Sequence, residues 1–210
     1  MADWVTISSL ATGAGTLVLA IATFGSVRSA NRTARAAERS LLAGLRPLLM
    51  TSRQQDPEQK VGFADDKWFV VPGGGAVVEA TDEAIYLTMS LRNVGSGLAV
   101  LHGWYFHPEI LLGAQEHESP EDFHRLTRDI YVPAGDIGFW QGAFRDPTDP
   151  AFDIARKALE NDTPVMVDLL YGDQEGGQRV ITRCMLRPHG EGKWFATVAR
   201  HWNIDREDPR

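Results

Sequence analysis

The chain is short of the residues that usually announce a chemistry. It has one cysteine in 210 residues, Cys184, so no internal disulfide can form and nothing calls for an oxidising compartment. Its six histidines include no pair four residues apart on a helix flanking a glutamate, and one cysteine cannot complete a zinc set. No serine sits in a nucleophile elbow, and Gly73-Gly74-Gly75 lacks both the lysine of a phosphate loop and the spacing of a dinucleotide fingerprint. The chain therefore reads as no enzyme: no catalytic, cofactor-binding or metal-binding residue is assigned.

Charge is missing where it matters most. From Trp4 to Val27 the chain runs 24 residues without a charged side chain. As a helix this stretch is roughly 36 Å long, enough to cross a hydrocarbon core of about 30 Å. Trp4 falls where an interfacial anchor belongs. A cleaved signal peptide would place positive charge before the apolar run. Here Asp3 precedes it, and Arg28, Arg32, Arg35 and Arg39 follow it as a basic juxtamembrane stripe. Because flanking arginines are retained in the cytoplasm, the expected topology is single-pass in the cytoplasmic membrane, with the N-terminus outside and the C-terminal domain cytoplasmic.

Positive charge is scarce in the rest of the chain. Residues 1–47 hold five arginines against Asp3 and Glu38, a net of +3, whereas residues 48–210 hold 16 basic against 26 acidic side chains, a net of −10. An acidic body argues against nucleic acid as a partner.

The helix also has a pattern. At about 100° per residue, Ser8, Thr12, Gly15, Ala22 and Ser26 fall within about 80° of one another, a small-residue face on which a second helix can approach closely in lipid. The expected partners are membrane lipid and, through this face, a second copy or another membrane protein. The arginines take the opposite side of the same helix, which should run from about residue 4 to 46 until Pro47 stops it.

Beyond the helix the patterning turns to period two. Ile85, Leu87, Met89 and Leu91 alternate with Tyr86, Thr88, Ser90 and Arg92, the signature of a half-buried strand. Further strands are expected at 67–71, 76–79, 98–105, 128–132, 137–141, 164–171, 179–186 and 194–201, the last three joined by turn-rich segments into a meander. Thr148 or Asp149 can cap a single helix with Pro150 in its first turn. The fold class is mainly β: a long N-terminal transmembrane helix, then an antiparallel β-sandwich-like domain with one short helical insertion. The expected boundaries are 1–47 for the helix with its basic continuation, 48–66 for a linker, 67–203 for the domain and 204–210 for a charged tail. Residues 51–210 are expected to fold alone.

Three residues need a partner or a place. Asp168 interrupts an apolar strand, and Arg183 on the next strand is its expected structural partner. Trp202, beside the charged tail, is the tryptophan expected at a contact surface.

The segments ATGAGTLVLAIATFGSVRSANRTARAAERSLLAGLRPLL (11–49), LRNVGSGLAVLHGW (91–104) and ARHWNIDREDPR (199–210) resemble uncharacterised actinobacterial single-pass membrane-anchored proteins with a C-terminal β-rich domain. The resemblance implies the same anchor-plus-domain plan and no activity. The function expected is a membrane-tethered interaction module, either a homo-oligomer or an accessory subunit of a larger membrane assembly. The alternative is a membrane-anchored small-ligand receptor or enzyme whose site is assembled from scattered residues of the β domain.

Overall fold

A computed structural model describes residues 3–107, 109–110, 113, 116–190 and 192–205. The Ser8 side chain and the end of the charged tail, 206–210, lie outside the described residues. The chain divides into two units, Met1–Gly44 and Leu45–Arg210.

The first unit is one helix, α1 (Trp4–Gly44, 41 residues). Its stretch Thr12–Leu42, of mean hydropathy 1.2, is long and apolar enough to cross a membrane, and none of that stretch is buried. The hydroxyls of Thr16, Thr23 and Thr33 donate to the carbonyls four residues back, so they stay satisfied without water. The helix ends at Gly44, two residues before the expected limit, where glycine's low helix propensity adds to the constraint from Pro47.

The second unit is mainly β, and every strand pair is antiparallel. In chain order its elements are β1 (Leu49–Thr51), β2 (Gln59–Gly62), β3 (Trp68–Val71), β4 (Gly75–Ala80), β5 (Ile85–Asn93), β6 (Ala99–His107), β7 (His124–Val132), β8 (Ile137–Phe144), α2 (Pro150–Glu160), β9 (Val165–Gly172), β10 (Val180–Pro188) and β11 (Trp194–Asn203). Nine strands form one sheet in the order β1-β5-β4-β11-β10-β9-β6-β7, with β8 also on β5. Strand β8 runs along β5 from Ile85 to Arg92, so β4 and β1 share the other edge of β5 end to end. The sheet curls until its two end strands, β7 and β8, face each other: Gly138 lies against Val132, and Arg128 reaches Gln141.

The curl encloses the core. Leu87, Met89, Trp104, Trp140, Leu169 and Cys184 meet inside, and Phe152 and Ala155 of α2 close one side. Asp149 caps α2 by accepting from the Ala151 amide, and Pro150 starts its first turn.

The segment 48–66, expected as a linker, is part of the fold. Strand β1 extends the sheet on β5, with Leu49 buried and its amide donating to the Tyr171 hydroxyl at 3.0 Å. Asp56 is clamped by Arg92 through two bonds of 3.0 and 2.6 Å. Strands β2 and β3 form a separate hairpin whose Val61, Phe69 and Val71, with Phe63 beside it, pack on Tyr86. A second difference is that Tyr86, Thr88 and Ser90, expected on the solvent side of β5, are buried: Tyr86 lies under that hairpin, the Thr88 hydroxyl donates to the Trp140 carbonyl, and Ser90 bonds the Ser52 hydroxyl. The turn after β5 holds the chain as it enters the domain: Val94 and Ser96 donate to the carbonyls of Leu48 and Arg46 at 2.8 and 3.0 Å. Gly97 is there because any side chain would collide with the Leu45 carbonyl.

Candidate functional site

Three places in the molecule carry chemistry beyond packing. The first is α1. Thr12, Gly15, Ala22 and Ser26 lie on its exposed surface, as do Arg28, Arg32, Arg35 and Arg39. Around them Leu17, Leu19, Ile21 and Phe24 point outward, all more than 60% exposed.

The second is a buried charge network on the outer face of β6, β9 and β10. Arg183 pairs with Asp168 in the strand register, as expected from the sequence. It donates from Nε to Oδ1 and from Nη2 to Oδ2, both at 2.7 Å, a bidentate pair. His107 Nε2 lies 2.9 Å from Oδ2; an ionised carboxylate only accepts, so the imidazole donates. Burial alone pushes the Asp168 carboxyl up, but the bonds from Arg183 and His107 outweigh it and hold the group below the usual carboxylate range. Arg183 is 2% exposed and lies 4.8 Å over the Trp202 ring. Trp202 is thus not a surface tryptophan: it is buried between Arg183, Arg200 and His117. Among the described side chains the exposed tryptophan is Trp68, on the outer side of the β2–β3 hairpin.

This network is sealed. Asp168 is 0% exposed and its partners Arg183 and His107 are buried with it, so the network has the character of a structural pair rather than of a reacting centre. Two further reactive groups, Cys184 and Tyr171, are equally withdrawn. Burial pushes the Cys184 thiol far up, and it pushes the Tyr171 phenol up to about 12 against the opposing bonds from Thr182 and Leu49. His117 and His124, seven residues apart in the chain, are held apart: His117 packs on Trp202, and His124 stacks on Trp104 at 4.8 Å. Among the described residues no three metal-ligating side chains converge.

The third place is the seam where the curled sheet fails to close. Strands β7 and β8 follow each other through the turn at 133–136, yet β7 pairs with β6 and β8 with β5, so their facing edges are not laddered to each other. They lie close at Val132 and Gly138 and leave a groove of about 140 Å³ further along. Arg125, Arg128, Arg145, His124 and Gln141 line it, with the Trp104 ring at its base. Gly142 is needed in this wall, since a Cβ there would sit 2.9 Å from the Trp104 ring. Arg128 donates to Oε1 of Gln141 at 2.9 Å and to the Gly62 carbonyl at 3.0 Å. Arg145 pairs with Asp65 at 3.3 Å. Nothing local in the sequence marks these residues, because a groove opens between these successive strands only where each ladders with a different partner.

A wider open groove of about 580 Å³ lies on the outer side of β6 and β9. Its walls mix Arg125 and Arg179 with Glu121 and Asp129, which gives it no preferred sign of charge. The chain matches no protein-family model and no curated protein.

Proposed function

We infer that the protein is a membrane-tethered interaction module. Its α1 spans the cytoplasmic membrane, the N-terminus lies outside, and the acidic β domain works in the cytoplasm as part of a homo-oligomer or as an accessory subunit of a larger membrane assembly. The observation that carries this reading is α1 itself: 41 residues of helix with Leu17, Leu19, Ile21 and Phe24 all exposed. A row of apolar side chains on a lone helix is costly in water and favourable in lipid. The sealing of Asp168 supports a module over a receptor or enzyme centred on that residue. The association face is Thr12, Gly15, Ala22 and Ser26 with Ser8, and the arginine stripe from Arg28 to Arg39 both fixes topology and meets anionic headgroups. The resemblance to actinobacterial membrane-anchored proteins agrees with this plan.

Topology is tested by cysteine labelling in intact cells. The native Cys184 is buried and contributes no background with a membrane-impermeant thiol reagent. An Ala2→Cys variant should label and an Asp208→Cys variant should not; the reverse pattern overturns the cytoplasmic assignment. Co-purification after gentle detergent extraction should return a stoichiometric companion or a second copy of the chain.

A further inference from the structure

The groove at the β7–β8 seam stands out by charge. Residues 48–210 carry 26 acidic side chains against 16 basic, yet the lining of this groove contains three arginines, a histidine and no carboxylate. Arg145 is already matched by Asp65. Among the described residues, neither Arg125 nor Arg128 makes an ion pair, so two positive charges face the groove uncompensated.

Gln141 supplies a neutral donor beside them. It is only 8% exposed, and its orientation is fixed by chemistry: the Arg128 guanidinium can only donate, so the atom facing it is Oε1. The Nε2 end is left as a donor with no acceptor among the described residues. Arg128 is itself held, its guanidinium lying 5.7 Å over the Phe139 ring while it donates to Gln141 and Gly62. Two guanidiniums and an amide donor, partly preorganised in a groove of about 140 Å³, suit a small oxyanion. A phosphate monoester carries a charge of about −1.5 to −2 near neutrality, which matches two free guanidiniums better than a single carboxylate does.

We propose that the seam between β7 and β8 is a binding site for the phosphoryl group of a small molecule, held by Arg125, Arg128 and Gln141. The site goes beyond the anchoring role of α1 and does not depend on helix association. The phosphoryl group is supplied either by a soluble phosphomonoester or by a lipid headgroup, and the test separates the two sources.

The full chain in phosphatidylcholine nanodiscs is titrated by calorimetry with glycerol 3-phosphate and inorganic phosphate, and with succinate as a carboxylate of similar charge. Both phosphates should bind saturably, and succinate should bind at least about tenfold more weakly. Arg125→Gln and Arg128→Gln should each weaken phosphate binding by about tenfold or more. Lys157→Gln, an exposed charge on α2, should leave it unchanged. Among the described residues Arg125 makes no side-chain hydrogen bond or ion pair, so its variant tests the site even if Arg128→Gln disturbs the seam, and thermal unfolding of each variant confirms folding. Nanodiscs containing phosphatidic acid decide the source: lost affinity for glycerol 3-phosphate identifies the headgroup, and unchanged affinity identifies a soluble ligand. Absence of saturable phosphate binding, succinate binding as tightly as phosphate, or equal weakening by Lys157→Gln overturns the proposal.

Discussion

Helix α1 and the β domain dispose of the same kinds of side chain in opposite directions. In α1, Leu17, Leu19, Ile21 and Phe24 face outward, whereas in the domain Ile85, Leu87 and Met89 are wholly buried. Each arrangement suits a different solvent. The helix satisfies its backbone internally and leaves an apolar surface outward, long enough to cross a membrane, while the domain hides its apolar surface and presents charge to water. The domain departs from its own rule most fully where Asp168, Arg183 and His107 put charge inside, and Asp173 is buried as well.

The largest expected effect follows from that exception. Arg183→Met leaves the Asp168 carboxylate buried with His107 as its remaining partner, and should cost about 3–5 kcal/mol of stability in denaturant unfolding. Asp168→Leu should cost a similar amount by stranding the guanidinium. The double variant should recover most of the loss, since an apolar pair of similar volume is often neutral at such a site. Asp168 also gives a pH signature. Its folded carboxyl is held below its unfolded value, so its contribution is fully present above the unfolded value of about 4 and disappears as pH falls through the folded one. The double variant should lose that acid-side component. If the single variants are as stable as the native chain, the charges contribute no mutual support and the exception has no structural meaning.

A second test sharpens the border between the two regions. A fragment starting at Leu45 keeps β1, whereas one starting at residue 51 loses Leu49 from the core and with it the hydrogen bond to Tyr171. The shorter fragment should be less stable by about 2–5 kcal/mol, the range for deleting a buried leucine side chain. Urea midpoints followed by tryptophan fluorescence measure the difference. Equal midpoints would return residues 48–50 to a linker.

Legibility in the sequence followed the range of the interactions. The alternation of β5, the β9–β10–β11 meander, the α2 cap and the Asp168–Arg183 pair all rest on neighbours in the chain or on adjacent hairpin strands. Strand β1 has no local signal, because it has three residues and pairs with Leu91–Asn93, some forty positions away. Strand β2 sits in the polar run before Phe63 and shows its apolar side only through Val61, which meets Phe69 across the hairpin. Trp202 was misplaced for a related reason: its cover comes from Arg183 and His117, on other parts of the chain. The groove at the seam lies between strands only a turn apart, and what hides it is that β7 ladders with β6 and β8 with β5 rather than with each other.

The smallest expected effect tests what the outward face of α1 is for. Gly15 lies in the small-residue face, and a Cβ built on it meets nothing within 4 Å. Gly15→Leu therefore leaves the single helix unstrained, and leucine is the better helix former, so the substitution should not weaken the helix itself. Its cost should appear only on association, where the larger side chain holds the backbones apart and weakens pairing by about 1 kcal/mol. Leu17→Ala, about 200° further round the helix, serves as the control and should leave pairing unchanged. Resonance energy transfer between labelled chains in bilayers reads the dimer fraction for both variants. No loss from either would show that the outward residues of α1 meet lipid on every side, so that association has to come from the β domain, whereas equal loss from the two would rule out Gly15's face as the specific contact.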